Sequence, residues 1–459
     1  MTDDAVTHDD TPVAISDDDT PVAIDLGDAA DRFRRSLAVI VGLGAVWRFG
    51  FVIITKWNRE LLLNDSLYYS WQGVQLADGV WFRDITATMP AAEHGPLTSL
   101  MIAPVSWGSH ALFQQRLMTT LFGVVTVALI GLVGRRVGGD RVGLVAAVLA
   151  AVYPNLWIND GLVMSESLGC MLVAGLLWAV LELLERPRTS IALAAGALLA
   201  LCALARSELI LLAPLVALVV LRWLRPLTEA WKSVVITALA TVVVLAPWVG
   251  FNLSRFERPV LLTTNDGTTL VGTYCPEAFY GEALGGWSFF CVLQNPGGPD
   301  GVDDSVRSAE RRATALSYAR DNVDRLPVVV AARLARTADL YGLDNLVHQD
   351  VGEERDRWAS WAGIVSWWIL APIGAVGMWR SGRIARRYPW VLMMPVVTVV
   401  VTTMLFYGAH RIRSPLEPSL VVAAAVVIAG WVPWPRPRES EVSAVPGRSS
   451  EPPGSSLPV

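Results

Sequence analysis

The sequence predicts an all-α polytopic membrane protein with about ten transmembrane helices, an extracytoplasmic first loop and a larger extracytoplasmic segment after about residue 251. Three observations carry that prediction. Of 459 residues, 53% are hydrophobic and only 17% charged, with a mean hydropathy of +0.44, whereas a soluble chain carries about a quarter charged residues. The apolar residues fall in blocks approaching the roughly 20 residues that a bilayer-spanning helix needs. Clusters of Lys and Arg fall at alternate block ends, all on one side, as cytoplasmic helix ends do.

The chain opens with an acidic tail, residues 1–33. Met1 to Asp31 holds ten Asp and no Lys or Arg, so the formal charge of −5 becomes +5 for the rest, 37 basic against 32 acidic residues. The tail repeats Asp9-Asp10-Thr11-Pro12-Val13-Ala14-Ile15 as Asp18-Asp19-Thr20-Pro21-Val22-Ala23-Ile24 and has too few large apolar side chains for a core, which reads as disorder. It has no basic stretch and short apolar run of a cleaved signal, so the block after Arg34-Arg35 reads as a retained anchor.

Spans are expected at approximately 36–56, 110–133, 141–155, 165–184, 189–205, 208–223, 232–250, 359–379, 389–407 and 415–433, within a transmembrane region of 34–434. The clusters Arg32/Arg34/Arg35, Arg135/Arg136/Arg141, Arg186/Arg188, Arg222/Arg225/Lys232, Arg380/Arg383/Arg386/Arg387 and Arg436/Arg438 then mark one cytoplasmic face and put both termini there. The opposite face receives a first loop (57–109), short turns near Pro154–Ser165 and Arg206, a long segment (251–358) and the turn at Gly408–Ser414. A Pro/Ser/Gly-rich tail, 435–459, closes the chain on the cytoplasmic side. Most of the 19 Trp fall near predicted helix ends as an interfacial belt; Trp71, Trp81 and Trp287, in outer loops, are open to a sugar-stacking role as well. Cys275 and Cys291 share the long outer segment, and spacing alone leaves a disulfide and two free thiols equally open.

The first loop reads Asn64-Asp65-Ser66-Leu67-Tyr68-Tyr69, then Gln75-Leu76-Ala77-Asp78-Gly79, then Glu93-His94-Gly95-Pro96-Leu97. Downstream come Met164-Ser165-Glu166-Ser167 after Tyr153-Pro154, Ala205-Arg206-Ser207-Glu208, Pro247-Trp248 through Asn252, and His410-Arg411-Ile412-Arg413-Ser414-Pro415-Leu416-Glu417-Pro418 before the last block. In this order and on one face, the set resembles the GT-C superfamily of polyprenyl-phosphate-sugar-dependent membrane glycosyltransferases, which includes protein O-mannosyltransferases and aminoarabinose transferases. It departs from the common pattern at Asn64-Asp65, where many relatives have two acidic residues, and at His94-Gly95-Pro96, where they have His-Pro-Pro.

The resemblance implies transfer of a sugar from a polyprenyl phosphate to an envelope glycan, lipid or protein acceptor outside the plasma membrane, with membrane lipids as surroundings. It puts the catalytic carboxylate at Asp65, a general base for an inverting displacement; capping a short helix is the structural alternative. Glu166 is an acceptor or metal contact, or a carboxylate complementing a helix dipole. His94, Arg206, Arg411 and Arg413 are the donor-phosphate residues, with Glu208 and Glu417 as competing partners of the arginines and Asp84 and Asp160 as alternative acids. No cofactor is required by this pattern, and a divalent cation is an option for the acidic residues. The charged run 306–326 reads as a solvated helix without chemistry. No nucleotide-phosphate loop, dinucleotide motif, H-E-x-x-H or paired C-x-x-C occurs, and no basic patch suits nucleic acid. A secondary transporter or lipid flippase is the competing class, since ionisable residues near the membrane also mark transport paths.

Overall fold

The computed structural model describes residues 26–62, 65–86 and 88–431. The readings made of residues 1–25, of Asn64 and of 432–459 therefore lie outside the described residues. The protein is an all-α polytopic membrane protein. A helix satisfies its own backbone, which hydrocarbon cannot do, and among the described residues the only strand-like contact is one bridge between Arg83 and Pro90.

Seven helices among the described residues are long and apolar enough to cross a membrane. The expected number of about ten counts differently: it splits the 42-residue helix Ala111–Val152 at its break, and it adds two short apolar helices, Thr189–Ala205 and Leu212–Trp223. The break is at Gly138 and Gly139, where φ of +79° at Gly139 suits a residue without a Cβ. The first helix, Leu26–Lys56, starts eight residues before the expected tail boundary at 34; Asp31 and Arg34 are paired at 3.5 Å across one of its turns, so charge does not end it there.

Helix Glu166–Glu185 and the segment His410–Trp431 lie in the middle, each 89% buried over its apolar stretch, whereas Leu227–Leu253 is only 17% buried and forms the outside of the bundle. The first helix packs on Ala111–Val152, and Glu417–Trp431 packs on both Ala111–Val152 and Arg357–Ile384. Close crossings need small residues because lipid provides little hydrophobic drive between helices. A Cβ on Gly377 would overlap the backbone of Ala423, and one on Gly196 would overlap that of Thr237.

The two ends of the bundle differ in charge pattern. At one end, Arg136 pairs with Glu182 and Glu185, and Arg387 reaches Glu185 at 3.2 Å, bringing together clusters that the sequence puts on one face. At the other end gather Lys56, Asp65, Glu166, Arg206 and Arg411. The long segment between Leu253 and Arg357 is helical as well, with Asp304–Asp321 where a solvated helix was expected, and a disulfide joins Cys275 to Cys291 across a Cα separation of 6.4 Å.

Candidate active site

Asp65 is the first residue of helix Asp65–Ala77, which lies beyond the end of the first spanning helix. That short helix is fixed by its buried polar face: Ser70 Oγ donates to Gln115 Oε1 at 2.6 Å, and Gln115 Nε2 donates back to the Ser70 carbonyl. His94 comes from the turn leading into helix Leu97–Ile102. A Cβ on Gly95 would collide with the carbonyls of Leu204 and Ala205, so glycine lets this turn lie directly against the end of Thr189–Ala205, one residue before Arg206. The His94 ring is held 5.1 Å from those of both Tyr68 and Tyr69.

Arg411 is the hub. Its Nη2 donates to Asp65 Oδ2 at 2.6 Å, its Nη1 to Glu353 Oε1 at 3.0 Å and its Nε to Glu166 Oε1 at 3.2 Å. Glu166 also accepts from Arg206 Nη1 at 3.1 Å, and Arg206 Nε donates to Glu208 at 2.7 Å. His94 Nε2 lies 3.4 Å from the other oxygen of Asp65. Five of the expected residues, Asp65, His94, Glu166, Arg206 and Arg411, are thus in one cluster. The Glu166 side chain is fully buried, whereas those of Asp65 and Arg411 keep 27% and 15% of their surface, so the reachable edge of the cluster is Asp65.

The charges act on each other. Burial drives the Asp65 carboxyl upward, but Arg411 and His94 overcome it and hold Asp65 well below the ordinary 3.8. Burial opposes the imidazolium of His94, yet the Asp65 carboxylate beside it raises its value above the ordinary 6.5.

Glu353 was not foreseen in the sequence, and it belongs to a run, Glu353-Glu354-Arg355-Asp356, that braces the cluster. Glu354 pairs with Arg116 at 2.9 Å and accepts from the Leu62 amide at 3.2 Å; Lys56 donates to its carbonyl. Asp356 pairs with Arg59 at 3.1 Å, and Arg355 pairs with Glu353 and donates to Asn159 Oδ1 at 3.0 Å. Glu354 has φ of +68°, a conformation unusual outside glycine that persists where surroundings over-determine it. The brace thus ties the linker leading to Asp65 to the start of Arg357–Ile384. The signal for it was a dense charge quartet directly before an apolar block.

Arg413 requires a correction. It is not in the Asp65 cluster but only 1% exposed, paired with Asp339 at 2.6 Å and Glu417 at 2.8 Å, and donating to the Thr337 carbonyl at 3.0 Å. Residues two apart on a helix point about 200° from each other, so in His410–Arg413 Arg411 and Arg413 face opposite sides. His410 stands in the same sealed group, with Nδ1 and Nε2 each 2.7 Å from Asp350 and Asp339. Asp160, an alternative acid, is paired at 2.5 Å with Arg48 inside the bundle. Asp84 accepts the Thr88 and Met89 amides in a turn.

As to metal, Asp65, Glu166 and Glu353 converge on the Arg411 guanidinium, one positive charge among three carboxylates. Among the described residues, one group brings ligand atoms within metal-binding reach, Cys275, Glu277 and Cys291, and both its sulfurs are committed to the disulfide.

Residues 93–251 match the family model described as dolichyl-phosphate-mannose-protein mannosyltransferase. No curated protein matches. Among solved structures, the archaeal oligosaccharyltransferase AglB from Archaeoglobus fulgidus, in complex with an inhibitory peptide and a dolichol-phosphate, is 15% identical, covers 88% of this chain and 50% of its own, and gives a TM-score of 0.55. The apo form of the Archaeoglobus fulgidus oligosaccharyltransferase is 14% identical over 87% and 50%, with a TM-score of 0.53. ArnT from Cupriavidus metallidurans, bound to undecaprenyl phosphate, is 13% identical over 88% and 78%, with a TM-score of 0.41. The chain spans about half the length of the oligosaccharyltransferases it matches. The chain shares its fold with the Archaeoglobus fulgidus oligosaccharyltransferases, in keeping with the resemblance expected from the sequence. The family match contains His94, Glu166 and Arg206; Asp65, Glu353 and Arg411 lie outside it and join them through the fold.

Proposed function

We propose that this protein is an integral membrane glycosyltransferase of the plasma membrane that moves a sugar from a polyprenyl phosphate to an envelope acceptor on the extracytoplasmic side, with both termini cytoplasmic. The observation carrying this reading is the cluster itself: a partly exposed carboxylate, Asp65, beside the guanidinium of Arg411, with His94 and Arg206 adjoining. A lipid-linked donor brings its phosphate to the membrane surface, where cations must take up its charge and a base must accept the acceptor proton.

In the reaction proposed, an acceptor hydroxyl oxygen attacks the anomeric carbon and its proton passes to Asp65. The bond from that carbon to the phosphate oxygen breaks, and the bonding pair leaves with the polyprenyl phosphate, whose charge is met by Arg411, Arg206 and His94. A single displacement inverts the anomeric configuration. Asp65 paired at 2.6 Å with Arg411 is ionised but weakly basic; a donor phosphate that competes for Arg411 releases Asp65 and strengthens it as a base. Base strength then depends on donor occupancy, and donor is not wasted on an unprepared site. Glu166, sealed from solvent and bonded to both arginines, positions them. A transporter would carry its ionisable residues near the membrane midplane; here Lys56, Asp65, Glu166, Arg206 and Arg411 lie at helix ends or in the segments that join them.

The test is transfer of radiolabelled sugar from a panel of polyprenyl-phosphate donors in membranes carrying the intact chain or Asp65→Asn. Transfer by the intact chain that disappears in the variant is expected. Full transfer by Asp65→Asn removes the base, and lipid translocation without any transfer establishes the flippase instead.

A further inference from the structure

Beside the Arg411 cluster opens a cleft of about 660 Å³, within the range of small-ligand sites. Such sites are mostly apolar, and this one mixes apolar surface with a dense set of polar groups. Eight of its ten lining residues are polar or charged, the exceptions being Val347 and Val351, and none of the ten is Phe, Tyr or Trp. Its charges balance, with three arginines against three carboxylates, Glu282, Asp344 and Asp356. A wall of this kind gives no net field to a polyanion or polycation. What it offers is closely spaced donors and acceptors for a neutral ligand rich in hydroxyl groups.

One wall comes from helix Leu343–Gly352, whose two faces have separate tasks. Leu346 and Asp350 are buried, Asp350 holding His410 at 2.7 Å, while Asp344 and His348, four residues apart, are exposed into the cleft with Asn345 beside them. The inner wall is Arg355, 2% exposed and therefore fixed in place. Arg355 bonds Glu353, Glu353 bonds Arg411, and Arg411 bonds both Asp65 and Glu166, which bonds Arg206. The far wall includes Arg59, in the linker that leads to Asp65. The cleft is thus joined to one end of a line of alternating charges, with Arg411 at its middle, Asp65 branching from it and Arg206 at its other end.

We infer that this cleft is the acceptor site and that the acceptor it takes is a neutral glycan, held by Asp344, Asn345, His348 and Arg355 with a hydroxyl directed at Asp65, while the donor phosphate is met from the Arg206 side. The inference rests on the transferase reading for its chemistry, but its binding part stands apart from turnover.

The experiment uses the full chain in nanodiscs and the double variant Asp344→Ala/His348→Ala, both positions exposed and outside the Asp65 cluster. Saturation-transfer NMR with neutral hexose oligosaccharides of three to five units, with a Ser/Thr-rich peptide as comparison, reads binding without any donor. Oligosaccharide binding in the intact chain, weakened about tenfold by the double variant as expected for losing two hydrogen-bonding side chains, and weak peptide binding in both, is the expected result. With donor present, the acceptor KM rises about as much while the donor KM stays unchanged. Peptide bound in preference to oligosaccharide, or oligosaccharide binding indifferent to the double variant, overturns the inference. Glycan binding that follows the double variant in a protein without transfer overturns the transferase reading and leaves the glycan site standing.

Discussion

Arg411 and Arg413 are two residues apart, each among carboxylates, and they do different work. The Arg411 cluster keeps an open edge, with Asp65 27% exposed and one guanidinium shared by three carboxylates. The Arg413 cluster is closed: Arg413 and Glu417 are each 1% exposed, Asp339 is fully buried, and the two pairs plus a carbonyl engage Nε and Nη1 of the guanidinium. The first arrangement can exchange a partner for a ligand phosphate, whereas the second has none to give up without stranding a buried charge. Solvent access at the edge, rather than the residue types, separates a site from a strut.

The largest effect is expected in the closed cluster. Arg413→Ala leaves Asp339 and Glu417 uncompensated, which costs about 3–5 kcal/mol for a buried pair that loses one member; the melting temperature in detergent should fall steeply, and an unchanged one breaks the comparison. Arg411→Lys keeps a charge but loses the planar fork that serves three carboxylates at once. It should lower transfer by about a hundredfold with little change in melting, and an equal loss of folded protein would make Arg411 a strut too.

A smaller effect belongs to pH. The contribution of His94 is fully present below pH 6.5 and is lost as pH rises through its higher folded value, while that of Asp65 is present above 3.8 and lost only as pH falls through its depressed one. Transfer should therefore fall by about tenfold on the alkaline side of 6.5, and this limb should be missing in His94→Asn; an identical profile in the variant would separate His94 from the reaction. The smallest effect is that of Glu208→Gln, since Arg206 keeps Glu166 and Glu208 is partly exposed. A change in transfer of about twofold is expected, in line with the small worth of exposed pairs, and abolished transfer would put Glu208 in the site.

The spanning helices were largely legible in the sequence because burial in lipid imposes long apolar blocks, and basic residues mark their ends. The same logic singled out Asp65, His94, Glu166, Arg206 and Arg411 as polar residues at block edges, and the fold gathers them in one cluster. Arg413 was misread because the backbone turn between it and Arg411 depends on helical geometry too short to leave a period in the sequence. Glu353, Arg355 and Arg48 were missed for another reason: each finds its partner through folding, as Arg48 does with Asp160 over 112 positions, and no local pattern records such pairing. The count of spans differed where short helices, Thr189–Ala205 and Leu212–Trp223, are stabilised by neighbours rather than by their own length.

The contrast between the two clusters comes down to two aspartates, each bonded to an arginine at 2.6 Å. Transfer per folded molecule and melting temperature should be measured side by side for Asp65→Asn and Asp339→Asn. Asp65→Asn should lose about a hundredfold or more of transfer, as removal of a general base does, at an unchanged melting temperature, while Asp339→Asn should melt earlier with transfer per folded molecule preserved. Transfer that survives in Asp65→Asn and fails in folded Asp339→Asn would contradict the assignment and move the catalytic centre to the closed cluster.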